Sequence, residues 1–148
     1  MIKKYLSIFN DSSGYTDIIL RLALGIVFFA HGSQKIFGWF GGYGWAGTMG
    51  FLTQLGMPAF IAGLTILIEF FGGAAILLGL LTRPAALGLV FVMLGAIFKV
   101  HLHNGFFMGS KSGDGIEYVF VLLMLSIYFV VKGAGAFSID KIIYSIKK

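Results

Sequence analysis

Four long apolar stretches dominate the amino-acid sequence. They lie at about 18–37, 59–81, 84–103 and 115–132. Each approaches the roughly 20 residues that a helix needs to cross a bilayer, and Pro84 stands at a favoured helix-opening position. The pattern predicts an all-α protein: an integral membrane four-helix bundle with short interfacial helices, forming a single transmembrane domain over residues 1–148.

Composition excludes the common soluble classes. The 148 residues are 58% hydrophobic and 11% charged. A soluble domain averages roughly 45–50% apolar residues and about 25% charged residues. So few charges cannot cover a folded surface in water, which excludes an ordinary soluble enzyme, a disordered segment and a nucleic-acid-binding module. The chain has no cysteine, so disulfides, CxxC redox chemistry and thiolate metal sites are excluded as well. The lipid bilayer is the expected surrounding.

Two further segments are predicted at the membrane interface. The connection between the first two stretches carries Trp39 and Trp45, which suits an interfacial belt, and a short amphipathic piece follows. The tail, 138–148, has apolar residues at i, i+3, i+4 and i+7 and predicts an amphipathic helix on the membrane surface. Lys147 and Lys148 would face anionic lipid there. A frayed, solvated tail is the alternative.

Positive charges are distributed unevenly between the two ends of the predicted bundle. Eight lie at the end that holds both termini: Lys3, Lys4, Arg21, Arg83, Lys132, Lys141, Lys147 and Lys148. Three lie at the other end: Lys35, Lys99 and Lys111. The positive-inside rule therefore places both termini in the cytoplasm.

Glu69 is the ionisable residue that lies deepest within an apolar stretch. Helical periodicity puts it on one face with small residues that include Gly72 and Gly73, and such a face allows close helix approach. We therefore expect its side chain to point into the bundle. A protonatable relay or ligand contact is one interpretation, because ionisable groups at this depth are costly and often functional. A structural carboxyl group that is hydrogen-bonded to its neighbours is the other.

A second set of polar residues lies towards the outer ends of the predicted spans. Its members are His31, Gln34, Lys35, Lys99, His101, His103 and Glu117. His31 and Lys35 are one turn apart on a shared side, and Lys99 shares a face with His103 while His101 points roughly the other way. Because successive spans alternate in direction, these residues should form one outer polar pocket, with Glu69 deeper.

Structural alternatives exist for these residues. Lys35 could be an anchor that snorkels outward, His31 a satisfied core histidine, and Glu117 a helix cap. The His-x-His pair suggests a metal, but its imidazoles diverge on a helix and no nearby carboxylate completes a ligand set. We therefore predict no metal site. Arg21 is predicted as a topology anchor rather than a site residue.

Several motifs resemble those of the DoxX family of small four-helix bacterial membrane proteins. In chain order they lie at 21–25, 31–38, 69–73, 77–83, 104–107 and 115–118. The His-Gly-x-Gln-Lys and Glu-Phe-x-Gly-Gly pieces are specific, and the resemblance covers nearly the whole chain. It implies a multi-pass protein of the bacterial cytoplasmic (inner) membrane. It also provides His31, Gln34, Lys35, Glu69 and Glu117 as matched positions, without roles.

The resemblance implies a link to quinone chemistry, because relatives are associated with quinone-linked sulfur oxidation, hydroquinone resistance and oxidative-stress complexes. We predict a quinone- or hydroquinone-interacting protein, associated with membrane redox reactions or with oxidative-stress and phenol detoxification. His31 and Lys35 would hydrogen-bond a ring oxygen and Glu69 would exchange its proton. The predicted catalytic residues are Glu69 and His31. The predicted substrate-binding residues are Gln34, Lys35, Lys99, His101, His103 and Glu117.

The sequence leaves open whether the protein is an enzyme. The alternative is a non-enzymatic membrane subunit or an assembly factor for a partner complex, since glycine-lined helix faces suit docking onto other spans. A membrane redox or stress-response partner protein and a homo-oligomer fit both interpretations. We expect no covalent cofactor; a bound quinone would be the redox agent.

Overall fold

A computed structural model describes residues 16–146, which are mostly helical and contain no β-strand. The helices are α1 Thr16–Phe37, α2 Gly44–Gln54, α3 Ala59–Leu78, α4 Thr82–Ala96, α5 Glu117–Lys132 and α6 Ile139–Ile146. The predicted all-α class is confirmed. Lys3, Lys4, Lys147 and Lys148, on which the charge count relied, lie outside the described residues.

The four longest helices form a closed ring around one core. α1 packs along α3, α3 packs on α4, α4 on α5, and α5 returns to α1. Each contributes fully buried side chains to the centre, which holds Phe28, Ile76, Leu89 and Phe129. This arrangement confirms the predicted four-helix bundle.

Three helical stretches are long and apolar enough to cross a membrane: Thr16–Phe37, Ala59–Leu78 and Thr82–Asn104. The third continues α4 through a π-helical turn, Ile97–His101, and a short 3-10 turn, Leu102–Asn104. α5 has 16 residues, or about 24 Å at 1.5 Å per residue. It is shorter than these three stretches of 22, 20 and 23 residues. Its crossing of the membrane stays a prediction, as does the side on which the termini lie.

Glycines set the distance between α1 and α3. A Cβ atom added at Gly32 would lie 2.4 Å from the Phe70 Cα atom, and one added at Gly73 would lie 2.4 Å from the Phe29 nitrogen. No side chain larger than hydrogen fits at either position, so the two backbones touch directly. The predicted inward face of α3 is confirmed, because Glu69, Gly72 and Gly73 are all buried.

Arg21 fastens the segment after α5 to α1. It is 3% exposed, its Nη1 donates to the Ala134 carbonyl oxygen at 2.6 Å, and its Nη2 donates to the Phe137 carbonyl oxygen at 2.6 Å. The role of Arg21 as a topology anchor stays a prediction, and the structure adds that its guanidinium is buried and hydrogen-bonded to backbone carbonyl groups. The turn at 134–137 lies between α5 and α6, and the buried guanidinium supplies hydrogen-bond donors to its carbonyl groups.

α6 is tied to the same end of the bundle through Asp140. Its carboxylate accepts hydrogen bonds from the backbone N–H groups of Leu81 and Thr82, at 2.7 and 2.9 Å, and so caps the first turn of α4. Ile142, Ile143 and Ile146 remain exposed on α6. Docking of this apolar face onto the membrane surface stays a prediction.

We predict that Arg21→Met lowers the free energy of unfolding in detergent by about 3 kcal/mol, because buried carbonyl groups lose their donors. Trypsin should also cleave the freed segment around Lys141 sooner. Thermal unfolding and timed proteolysis measure both effects. Arg83→Met is the matched control, since Arg83 is exposed and donates one bond of 3.2 Å to the Val131 carbonyl oxygen. Equal effects of the two variants would contradict the role of Arg21.

Candidate functional site

Lys35 of α1 and Glu69 of α3 form an ion pair inside the bundle. The Lys35 Nζ donates to both carboxylate oxygens of Glu69. The Glu69 side chain is 4% exposed and the Lys35 side chain is 30% exposed. Lys35 therefore turns inward to the carboxylate instead of snorkelling outward, as burial of an ionised carboxyl group requires.

The close packing of α1 and α3 creates this pair. Gly32 lies three residues before Lys35, and it rests directly on the backbone of Phe70, the neighbour of Glu69. Residues three apart lie on the same helical face, so the contact at Gly32 brings the lysine to the level of the carboxylate. The two specific motifs of the sequence are thus two halves of one contact.

Two cavities meet at the ion pair. The larger, of about 460 Å³, lies between α2, α3 and α4. The smaller, of about 280 Å³, lies between α1, α4, α5 and the loop before α5. Four residues line both cavities: Lys35, Glu69, Ala96 and His101. A ligand in either cavity would therefore reach the charged groups.

The larger cavity is mainly apolar and reaches the outer surface of the bundle. Phe51 of α2, Leu64 of α3 and Phe91 of α4 line it and are 50%, 41% and 64% exposed. Lys35 and Glu69 line it as well, and so does Lys99, which is exposed. The cavity thus joins a charged interior to a surface that lipid would cover.

The smaller cavity is richer in polar groups. His31 and Tyr118 line it, with ring centroids 6.5 Å apart, and the loop residues Met108 and Asp114 form its rim. His31 and Lys35 line this cavity together, as their spacing of one helical turn predicts.

The π-helical turn decides the direction of His101. Within it the N–H of Leu102 donates to the carbonyl oxygen of Ile97, five residues earlier. This wider spacing places His101 above Ala96, and both line the two cavities. The prediction that His101 and Lys99 point in roughly opposite directions stays a prediction; both residues line the larger cavity. The His101 Nδ1 lies 2.8 Å from the Asp114 carbonyl oxygen, which ties the loop to the helix.

Three predicted binding residues line neither cavity. The Gln34 Nε2 donates to the Phe40 carbonyl oxygen at 3.3 Å, and Glu117 Oε1 accepts the Met108 N–H at 2.9 Å. Both side chains therefore hold loops in place. His103 is exposed. Within residues 16–146, no group of three His, Asp or Glu side chains is placed to hold a metal ion.

Sequence reasoning missed several lining residues. Tyr118 stood inside the matched segment 115–118, and an aromatic residue one turn into a predicted span was a usable signal. Thr48, Phe51 and Asp114 gave no such signal, because only the folding of α2 and of the 105–116 loop over the bundle brings them to the cavities.

Comparison with known proteins identifies the family. A family model described as DoxX matches residues 16–102, which is more than half of the chain. The chain belongs to the DoxX family. The matched region contains both halves of the ion pair and the π-helical turn, so the resemblance in the motifs is confirmed.

Relatives of this DoxX protein match along most of their length. "Putative oxidoreductase CatD" of Bacillus subtilis (strain 168) is 32% identical over 139 residues, covering 94% of this chain and 95% of that protein. "Inner membrane protein YqjF" of Escherichia coli (strain K12) is 32% identical, covering 85% and 90%. "Uncharacterized membrane protein Rv3486" of Mycobacterium tuberculosis (strain ATCC 25618 / H37Rv) is 33% identical, covering 84% and 78%. No solved structure matches the chain.

We predict strong coupling between Lys35 and Glu69 in this DoxX protein. Lys35→Met should cost about 3 kcal/mol of unfolding free energy, because it leaves a carboxylate buried without its cation. The double variant Lys35→Met/Glu69→Leu should cost less than the sum of the single variants, since no unpaired charge remains. Unfolding in mixed micelles gives the stability of the wild type, the two single variants and the double variant, which together form a double-mutant cycle. Additive costs would show that the two side chains do not act as a pair.

Proposed function

We propose that this DoxX protein binds a quinone, a hydroquinone or a related phenol at the Lys35–Glu69 pair, and that it serves membrane redox reactions or oxidative-stress and phenol detoxification. The observation that carries the proposal is the position of the pair at the junction of two cavities within apolar helices. Ligand sites are commonly apolar pockets with a few well-placed polar groups.

The pair supplies both kinds of hydrogen bond that such a ring needs. A quinone oxygen accepts, and the Lys35 ammonium group donates. A hydroquinone or phenol hydroxyl donates a hydrogen bond to the Glu69 carboxylate. The carboxylate would then accept the proton of that hydroxyl. Hydrogen bonds of this kind are stronger in a low dielectric than in water. His31 lines the same small cavity as both charged groups, so it would contact the ring from the side of α1.

The remaining polar groups have supporting roles in the proposal. Lys99 and His101 line the larger cavity and would bind the ring oxygen farther from Glu69. Gln34 and Glu117 would act by holding the loops. Because the chain has no cysteine, electrons would travel on the bound ring to or from a partner protein. One relative carries the name of an oxidoreductase, which supports a redox context by similarity.

The proposed location is the bacterial cytoplasmic membrane. Three helices are long enough to cross it, and the Escherichia coli relative is named an inner membrane protein. We place both termini in the cytoplasm, because the charges near the Arg21 end are mostly basic.

A second candidate function is a non-enzymatic subunit or assembly factor. A shallow groove of about 430 Å³ on the outside of α3 and α4 favours it, because Gly72, Ala75, Ala85 and Gly88 line that groove and would admit another helix. In that case the ion pair would only hold the bundle in register. Stable co-purification of one membrane partner, with no effect of any quinone, would support this candidate.

We predict that a hydroquinone raises the thermal stability of the detergent-solubilised protein and changes its tryptophan emission. Free ligand at about one hundred times its Kd should add about 2.7 kcal/mol to the stability of the folded state. Glu69→Gln and His31→Ala should fold yet lose this response, because each removes a group that faces the ring. His103→Ala is the control, since His103 lines neither cavity. An absent response in the wild type would refute the proposal.

A further inference from the structure

The two cavities at the ion pair differ in the surface onto which they open. The smaller is bounded by the 105–116 loop, with Asp114 and Met108 at its rim. The larger leads away from the ion pair between α2, α3 and α4 to side chains that are exposed on the outside of the bundle. One cavity therefore faces the loops and the other faces the position of the lipid.

We propose, building on the proposed function, that the ligand carries a long apolar chain. Its ring lies at the Lys35–Glu69 pair, and its chain leaves the protein through the larger cavity into the bilayer. The site would thus serve a lipid-soluble quinone or quinol rather than a small water-soluble phenol.

The lining of the larger cavity fits a chain. Most of the residues that line it are apolar, among them Leu52, Ile61, Ile68 and Val92. Phe51 and Phe91 stand where the cavity reaches the surface, one on α2 and one on α4. A polar ligand would lose its hydrogen bonds along this route, whereas a hydrocarbon chain has none to lose.

An opening towards lipid has a physical reason. A chain dissolved in the bilayer gains little by moving into an apolar protein cavity, because lipid tails are as apolar as leucine side chains. The ring can reach the ion pair only if the chain stays in lipid or in a continuous apolar channel. The larger cavity supplies that channel, so its free width should control the binding of chain-bearing ligands specifically.

Gly95 offers a way to narrow this channel without disturbing the fold. It lines the larger cavity, and a Cβ atom added there meets nothing within 4 Å. Gly95→Leu would therefore occupy the channel. Gly50 of α2 is the matched control, since a Cβ there is equally unobstructed and Gly50 lines neither cavity. Thr65→Leu is a second variant that narrows the same channel from α3.

The test compares two probes in lipid nanodiscs: a benzoquinone with a long alkyl chain and the same ring with a methyl group in place of the chain. With Trp39 replaced by phenylalanine in all proteins compared, quenching of Trp45 reports binding, because its ring lies 3.7 Å from the Cβ position of Gly63 on α3, a helix that lines the larger cavity. Gly95→Leu and Thr65→Leu should weaken the binding of the chain-bearing probe about tenfold, because a larger side chain in the channel overpacks the space that the alkyl chain needs. The affinity for the methyl probe should change less than about twofold in these two variants. Gly50→Leu should leave the affinity for both probes unchanged.

The outcomes separate this inference from the proposed function. If Gly95→Leu and Thr65→Leu weaken the binding of both probes equally, or of neither, the ligand's chain does not leave through the larger cavity. Binding of the ring at the ion pair would still stand in that case. Failure of the wild type to bind either probe would overturn the proposed function and the chain route together.

Discussion

A carboxylate that is buried among apolar helices needs a cation beside it, and this bundle is arranged so that Glu69 has Lys35. Taking both groups out of water carries a desolvation cost that only close, well-oriented contact can offset. The contact requires α1 and α3 to meet along one face, where Gly32 and Gly73 let the two backbones touch. The ion pair and the glycine contacts therefore depend on each other, and the ring of four helices closes around them.

Buried charge is used in different ways at two places in the bundle. At one end the Arg21 guanidinium donates to backbone carbonyl groups of the segment after α5, and Asp140 caps α4, so both are committed to holding the chain. Farther into the bundle, the charged groups of Lys35 and Glu69 pair with each other and face two cavities.

The π-helical turn is the local feature that completes the site. A regular α-helix through Ile97–His101 would turn His101 away from Ala96, whereas the wider turn places both at the junction of the cavities. Such turns are frequent at functional sites. The loop that packs against His101 through the Asp114 carbonyl group then forms a wall of the smaller cavity.

Three features could be predicted from the amino-acid sequence: the lipid surroundings, the all-α class and the inward face of α3. Hydrophobicity and helical periodicity are properties of consecutive residues, so they can be read without the fold. The sequence also identified Glu69, His31, Lys35, Lys99 and His101, which the structure brings to the two cavities. Which polar residues meet follows from the packing of distant segments. This packing turned Lys35 to Glu69, used Gln34 and Glu117 to hold loops, left His103 exposed and buried Arg21. These outcomes depend on contacts between distant segments and on one departure from α-helical geometry, and neither can be derived from the period of a single helix.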